Sequence, residues 1–146
     1  MSKMPIRIHA EKSLDWHRVR DIVPPSAAGI YHDSELDSQI TWHERGDEDS
    51  LQLFEVSFDP GALVALHAHE HDEIIYIVSG SLILGEREIG PGSSVFVGGE
   101  TLYGFRAGSK GLRMLNFRPQ GGSTYIPKAE FLKRQKSRRL QTGADQ

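Results

Sequence analysis

The chain has 146 residues, a formal net charge of −3 and no cysteine. That length suits one domain with a sizeable core. The charge gives no bulk field for nucleic acid, and the missing thiols exclude disulfides, thiolate ligands and thiol nucleophiles, as suits a cytoplasmic protein.

No apolar run reaches the length of a membrane span, and the N-terminal MSKMPIRIHAEKS lacks the apolar core of a signal peptide, so no membrane partner is expected. Fifteen glycines and seven prolines point to the many turns of an all-β domain. Residues 5–9 read as a short edge strand. Residues 10–22 read as a loop or helical turn covering the domain, and Pro24-Pro25 ends any helix there. Gln39 to Glu44 is a predicted strand, followed by a charged turn. From Leu51 the pattern is regular. LQLFEVSF is a strand, Asp59-Pro60-Gly61 a predicted reversal, and Leu63 to His69 the next strand. In Glu73 to Val78, alternation sends Glu73, Ile75 and Ile77 inward and Ile74, Tyr76 and Val78 outward. Both faces are apolar, so the outer one needs cover by a terminal segment or a subunit, and a homodimer is expected. Ser79-Gly80 reads as a turn. Ser81–Leu84 and Arg87–Ile89 form a hairpin around Gly85-Glu86, and Val95–Val97 is a strand. Leu102–Arg106 and Leu112–Arg118 are the last two strands. The tail from Ile126 carries Lys128, Lys133, Arg134, Lys136, Arg138 and Arg139. It reads as a solvated helix and terminus, with no nucleic-acid partner.

The chemistry concentrates in Gly61 to Gly80, GALVALHAHEHDEIIYIVSG, which reads G-x5-H-x-H-x3-E-x6-G. His67 and His69, two residues apart on a strand, project from one face. With Glu73 they form a two-histidine, one-carboxylate set suited to one divalent transition metal. Fe(II) is favoured, with Mn, Ni, Co or Zn as alternatives. His9, His17, His32 and His43 show no ligand spacing and are read as solvated or locally hydrogen-bonded.

This stretch resembles the first conserved motif of the cupin superfamily without a gap. The resemblance implies an antiparallel double-sheet jelly-roll barrel with a metal inside. A short C-terminal helix completes the expected fold. The expected organisation is an N-terminal arm over residues 1–39, a barrel over 40–118 and a C-terminal segment over 119–146. The second cupin motif falls on Gly92 to Ala107 and is degraded: Gly98 stands at the proline position, Glu100 at the second glycine, Tyr103 at the usual histidine and Ala107 at the asparagine. Tyr103 then has three readings: a phenolate ligand, a neutral donor or general acid, or filler in a pocket without metal. Phe105 shares its face, and Phe105 and Ile75 are expected to line a substrate pocket. His71 sits where cupins often carry a non-ligating histidine and is left out of the ligand set. The implied function is a metal-dependent small-molecule enzyme, a dioxygenase or related oxidoreductase acting on a small carbonyl or phenolic compound. Isomerases and lyases are variants of that class. The alternative is a non-catalytic small-molecule or metal binder.

Overall fold

The computed structural model of the chain describes residues 6–121 and 124–142. Its elements in order are β1 (His17–Arg18), α1 (Val19–Ile22), α2 (Asp33–Leu36), β2 (Gln39–Glu44), β3 (Gln52–Phe58) and β4 (Leu63–Ala68). There follow β5 (Glu73–Leu84), β6 (Arg87–Ile89), β7 (Ser94–Val97), β8 (Tyr103–Arg118), β9 (Ile126–Pro127) and α3 (Lys128–Thr142). Every strand pairing is antiparallel, so the all-β class with a C-terminal helix is met. The strands form one connected nine-stranded sheet in the order β1-β2-β3-β8-β4-β9, with β5 branching from β8 and carrying β6 and β7. The expected two sheets are therefore joined, and the ladder does not close among the described residues.

Two long strands cause the joining. β8 runs unbroken for 16 residues, where the sequence pattern suggested two strands. β5 runs for 12 residues straight through Ser79-Gly80, where it suggested a turn. Gly80 lets β5 kink rather than reverse. Its φ is +71°, and a Cβ there would stand 2.0 Å from the Gly111 carbonyl oxygen. Asp59-Pro60-Gly61 likewise does not reverse the chain. β3 and β4 lie along the same edge of β8, with Phe58 opposite Leu112 and Leu63 opposite Arg106. Between them the Ala107 amide donates to the Ala62 carbonyl, so the turn is a kink in one continuing strand. The short hairpin β5–β6 forms as expected, with Leu84 opposite Arg87. No strand forms at residues 6–9, where Arg7 and His9 instead bond the Glu44 carboxylate through their side chains. Residue 5 lies outside the described residues.

The alternation of β5 holds. Glu73, Ile75 and Ile77 are buried, while Ile74, Tyr76 and Val78 are about two-fifths exposed. Ile75, Ile77 and Leu82 form the driest part of the core with Phe58, Val64 and Met114. Each such side chain contributes roughly 1.5–3 kcal/mol on burial. On the outer face Ile74 pairs across strands with Phe96 and Phe117, both exposed. No helix among the described residues is long and apolar enough to cross a membrane. The basic helix α3 is partly neutralised within the chain: Arg138 bonds Glu100, and Arg134 bonds Glu130 and approaches Glu70.

Candidate active site

His67, the penultimate residue of β4, lies directly opposite Tyr103, the first residue of β8. His69 lies one residue past the strand end, and Glu73 opens β5. All three are buried to within a few per cent. A tight loop holds them in place. The Glu100 amide donates to the His69 carbonyl, and the Gly99 amide donates to the Asp72 carboxylate. Glu100 has φ +59°, the left-handed backbone that suits glycine, the residue of the resembled motif at this position.

The imidazoles share one orientation. Nδ1 of His67 lies 2.7 Å from the Ala65 carbonyl oxygen, and Nδ1 of His69 bonds the Thr124 carbonyl oxygen. A carbonyl only accepts, so each Nδ1 carries the proton and each Nε2 keeps its lone pair. Burial lowers both imidazole pKa values, His69 to about 4 with the help of the Arg118 charge, so both rings are neutral at pH 7.

The residue that sequence reasoning missed is Arg118, the last of β8. Its Nε donates to Oε2 of Glu73 at 3.1 Å, and its Nη2 lies 3.3 Å from Nε2 of His69. Its Nη1 reaches Gln52 at 3.3 Å, and its guanidinium sits 4.8 Å from the Phe54 ring centre. Tyr103 donates its hydroxyl to the other Glu73 oxygen. Burial opposes a charge on Glu73, but Arg118, His69 and Tyr103 together hold its pKa below the ordinary value. Tyr103 moves the other way: burial and the Glu73 carboxylate raise its pKa, so it stays a neutral donor and not a phenolate.

The expected ligand trio is thus brought together, and its donor chemistry is that of a metal site. Its arrangement does not fit one. A guanidinium already spans His69 and Glu73, and a phenol takes the remaining carboxylate oxygen. Among the described residues no group of three or more His, Asp or Glu side chains is placed to hold an ion.

Above this cluster lies a cavity of about 260 Å³. His67, His69, Tyr103 and Arg118 line it, with an apolar wall that includes Phe105 and Met114. Phe105 is therefore at the pocket as expected, nearly parallel to Tyr103 at 6.3 Å. Ile75 is not. It packs in the core, and Asn116, its cross-strand partner on β8, stands at the wall instead. Glu73 does not line the cavity either, because Tyr103 and Arg118 cover both its oxygens. The N-terminal residues Val19, Val23, Tyr31 and Glu35 close the other side, with Tyr125 from the segment before β9. Tyr125 stacks flat on His67, with ring centres 4.5 Å apart.

Three buried polar atoms here have no hydrogen-bond partner among the described residues: Glu35 Oε1, Asn116 Oδ1 and Tyr125 Oη. Leaving such a group unpaired costs about 1–3 kcal/mol. Burial pushes the Glu35 carboxyl up to about 7 and also raises Tyr125, whose hydroxyl stays protonated. The remaining histidines behave as expected of bystanders. His9 bonds Glu44, His17 approaches Asp15, His43 bonds Glu55, His71 meets Gln120, and His32 caps α2 by accepting from the Ser34 amide.

No protein-family model and no curated protein matches the chain. Solved structures do. An RmlC-like cupin protein of Ralstonia eutropha JMP134 superposes with a TM-score of 0.65 at 16% identity, over 85% of this chain and 74% of that one. The chain has the cupin fold. The polyketide cyclase RemF of Streptomyces resistomycificus is a second such cupin, with a TM-score of 0.62 at 22% identity over 86% of each chain. Bacillus subtilis oxalate decarboxylase, described with Mn(II) centres, gives a TM-score of 0.56 at 16% identity, covering 65% of this chain and 29% of that one. Identities this low establish the cupin fold and leave the chemistry to the site's own residues.

Proposed function

We propose that the chain is an enzyme that binds a small, flat carbonyl or phenolic compound in the cavity and moves a proton next to its carbonyl. One observation carries this reading: the Arg118 guanidinium lines the cavity, locked by Glu73, Gln52 and the face of Phe54. A fixed cation in a mostly apolar pocket stabilises negative charge as it develops on a substrate oxygen. His67 is the base. It lines the same cavity, is neutral, and has Nε2 unprotonated. Nε2 takes a proton from the carbon beside the carbonyl. The C–H electron pair becomes the enolate π bond, and the carbonyl pair moves onto the oxygen facing Arg118. Return of the proton at another carbon, or loss of a leaving group, gives an isomerase or a lyase. Tyr103 positions Glu73, which in turn positions Arg118.

The second reading is the metal-dependent one: one divalent transition metal, Fe(II) or Mn, Ni, Co or Zn, on His67, His69 and Glu73, with dioxygenase or other oxidoreductase chemistry. The two Nε2 lone pairs favour it. It requires Arg118 to leave His69 and Glu73, since ligand atoms must be free to bind.

The test is deuterium exchange of the methyl protons of 4-hydroxyacetophenone in D2O, followed by NMR, with elemental analysis of protein purified without an affinity tag. The first reading expects catalysed exchange, abolished in His67→Ala, with far less than one metal per chain. One metal per chain, lost in His67→Ala, would overturn it in favour of the second reading. Binding without exchange would leave a non-catalytic binder.

A further inference from the structure

We infer that Glu35, Asn116 and Tyr125 form a second polar anchor in the cavity, and that it selects ligands carrying a hydroxyl at the end away from the carbonyl. Three separate segments supply it: α2 carries Glu35, β8 carries Asn116, and Tyr125 precedes β9. All three residues line one cavity, and each turns away from solvent a polar atom with no partner among the described residues. Asn116 is only 3% exposed, so no bulk water satisfies its Oδ1. Buried polar atoms are paired in folded proteins as a rule, and three exceptions around one cavity mark the place of an absent polar group.

The chemistry of the three atoms defines that group. Tyr125 Oη has a proton to donate, while Asn116 Oδ1 can only accept. Glu35 Oε1 accepts when ionised and can donate when neutral. One ligand hydroxyl satisfies the first two at once, accepting from Tyr125 and donating to Asn116. A second, adjacent hydroxyl meets Glu35. The ligand's other end is set by the first reading above, on which this half of the inference rests: its carbonyl oxygen meets Arg118. Asn116 and Arg118 are two residues apart on β8 and both line the cavity. Their Cα atoms are therefore roughly 6.5–7 Å apart, one strand repeat. A ligand touching both is a one- or two-ring compound with oxygen at opposite ends, which suits a cavity of about 260 Å³. A hydroxylated aromatic ketone or cyclic enone has this shape and polarity.

The test is calorimetric titration of the full chain with three probes: 4-hydroxyacetophenone, acetophenone without the hydroxyl, and 4-ethylphenol without the carbonyl. The anchor predicts that 4-hydroxyacetophenone binds at least about tenfold more tightly than acetophenone, because the latter leaves the buried groups unpaired. Tyr125→Phe and Asn116→Leu should each shrink that ratio to about twofold by weakening the hydroxylated probe alone. Equal binding of the two ketones, binding of neither, or an unchanged ratio in a folded Tyr125→Phe would overturn the anchor; equal binding would mean that trapped water already satisfies it. The third probe separates this inference from the reading beneath it. If 4-ethylphenol binds as tightly as 4-hydroxyacetophenone while acetophenone stays weak, the anchor stands and the carbonyl contact with Arg118 fails.

Discussion

Two carboxylates are taken out of water around the same cavity, and they behave in opposite ways. Glu73 at its base has both oxygens bonded, one by Tyr103 and one by Arg118, and is held ionised. Glu35 on its rim has an oxygen with no partner among the described residues, and its carboxyl is pushed up to about 7. Burial acts on both in the same direction, so the partners decide the outcome. A charge delivered with its counter-charge is a structural fixture. A buried carboxyl without one is open to a ligand and sensitive to pH near neutrality.

The largest effect expected is from breaking the paired end. Arg118→Met strands an ionised carboxylate among apolar neighbours, and losing one partner of a buried pair costs about 3–5 kcal/mol. Urea denaturation at pH 7 should register that loss, and adding Glu73→Gln should restore much of it. A single variant as stable as wild type would mean that Glu73 is not held by Arg118.

The unpaired end gives the next effect, with the opposite sign. The folded-state pKa of Glu35 lies above its ordinary value of 4.5. The neutral carboxyl's contribution is therefore fully present below about pH 4.5 and is lost as pH rises through about 7. Glu35→Gln, which cannot ionise, should match wild type at pH 4 and exceed it at pH 8 by at most ~3 kcal/mol. Equal stability at both pH values would remove the contrast between the two carboxylates.

Tyr103→Phe sharpens the paired end. It deletes one bond to a charged oxygen and should cost about 1.5–3 kcal/mol in thermal unfolding while leaving the Arg118 contact in place. The Glu73 pKa should rise in the variant, visible by NMR titration; an unmoved pKa would show that Arg118 alone sets it. The smallest effect on folding should come from the outer face of β5. Phe96→Asp is a surface change worth within ±0.5 kcal/mol to the monomer. If Ile74, Phe96 and Phe117 cover a second copy, sedimentation should nevertheless change from dimer to monomer. A wild-type monomer at micromolar concentration would sink the homodimer.

The local sequence pattern determined the strand that carries the site. Alternation from Glu73 to Val78 gave the buried and exposed faces correctly, because it depends only on the two-residue period of a strand, and the motif spacing of His67, His69 and Glu73 gave the cluster, with Glu73 joining it from the next strand across a bend. The degraded second motif led to Tyr103, and cross-strand register with His67 put it there. The length of β5 and β8 was not legible: Ser79-Gly80 read as a turn, and the close approach of Gly80 to Gly111 makes it a kink within a strand. Arg118 and Asn116 were in principle visible, since alternation from Met114 places both on its inward face, but nothing local says what a buried arginine meets. Only the tertiary structure decided that Arg118 spans His69 and Glu73, which lie 49 and 45 residues away along the chain. Likewise only folding brought Glu35 and Tyr125 from opposite ends of the sequence to one cavity wall. Spacing in a sequence reports which face of an element a side chain takes; what it meets is set by the register between strands and by the segments that fold over them.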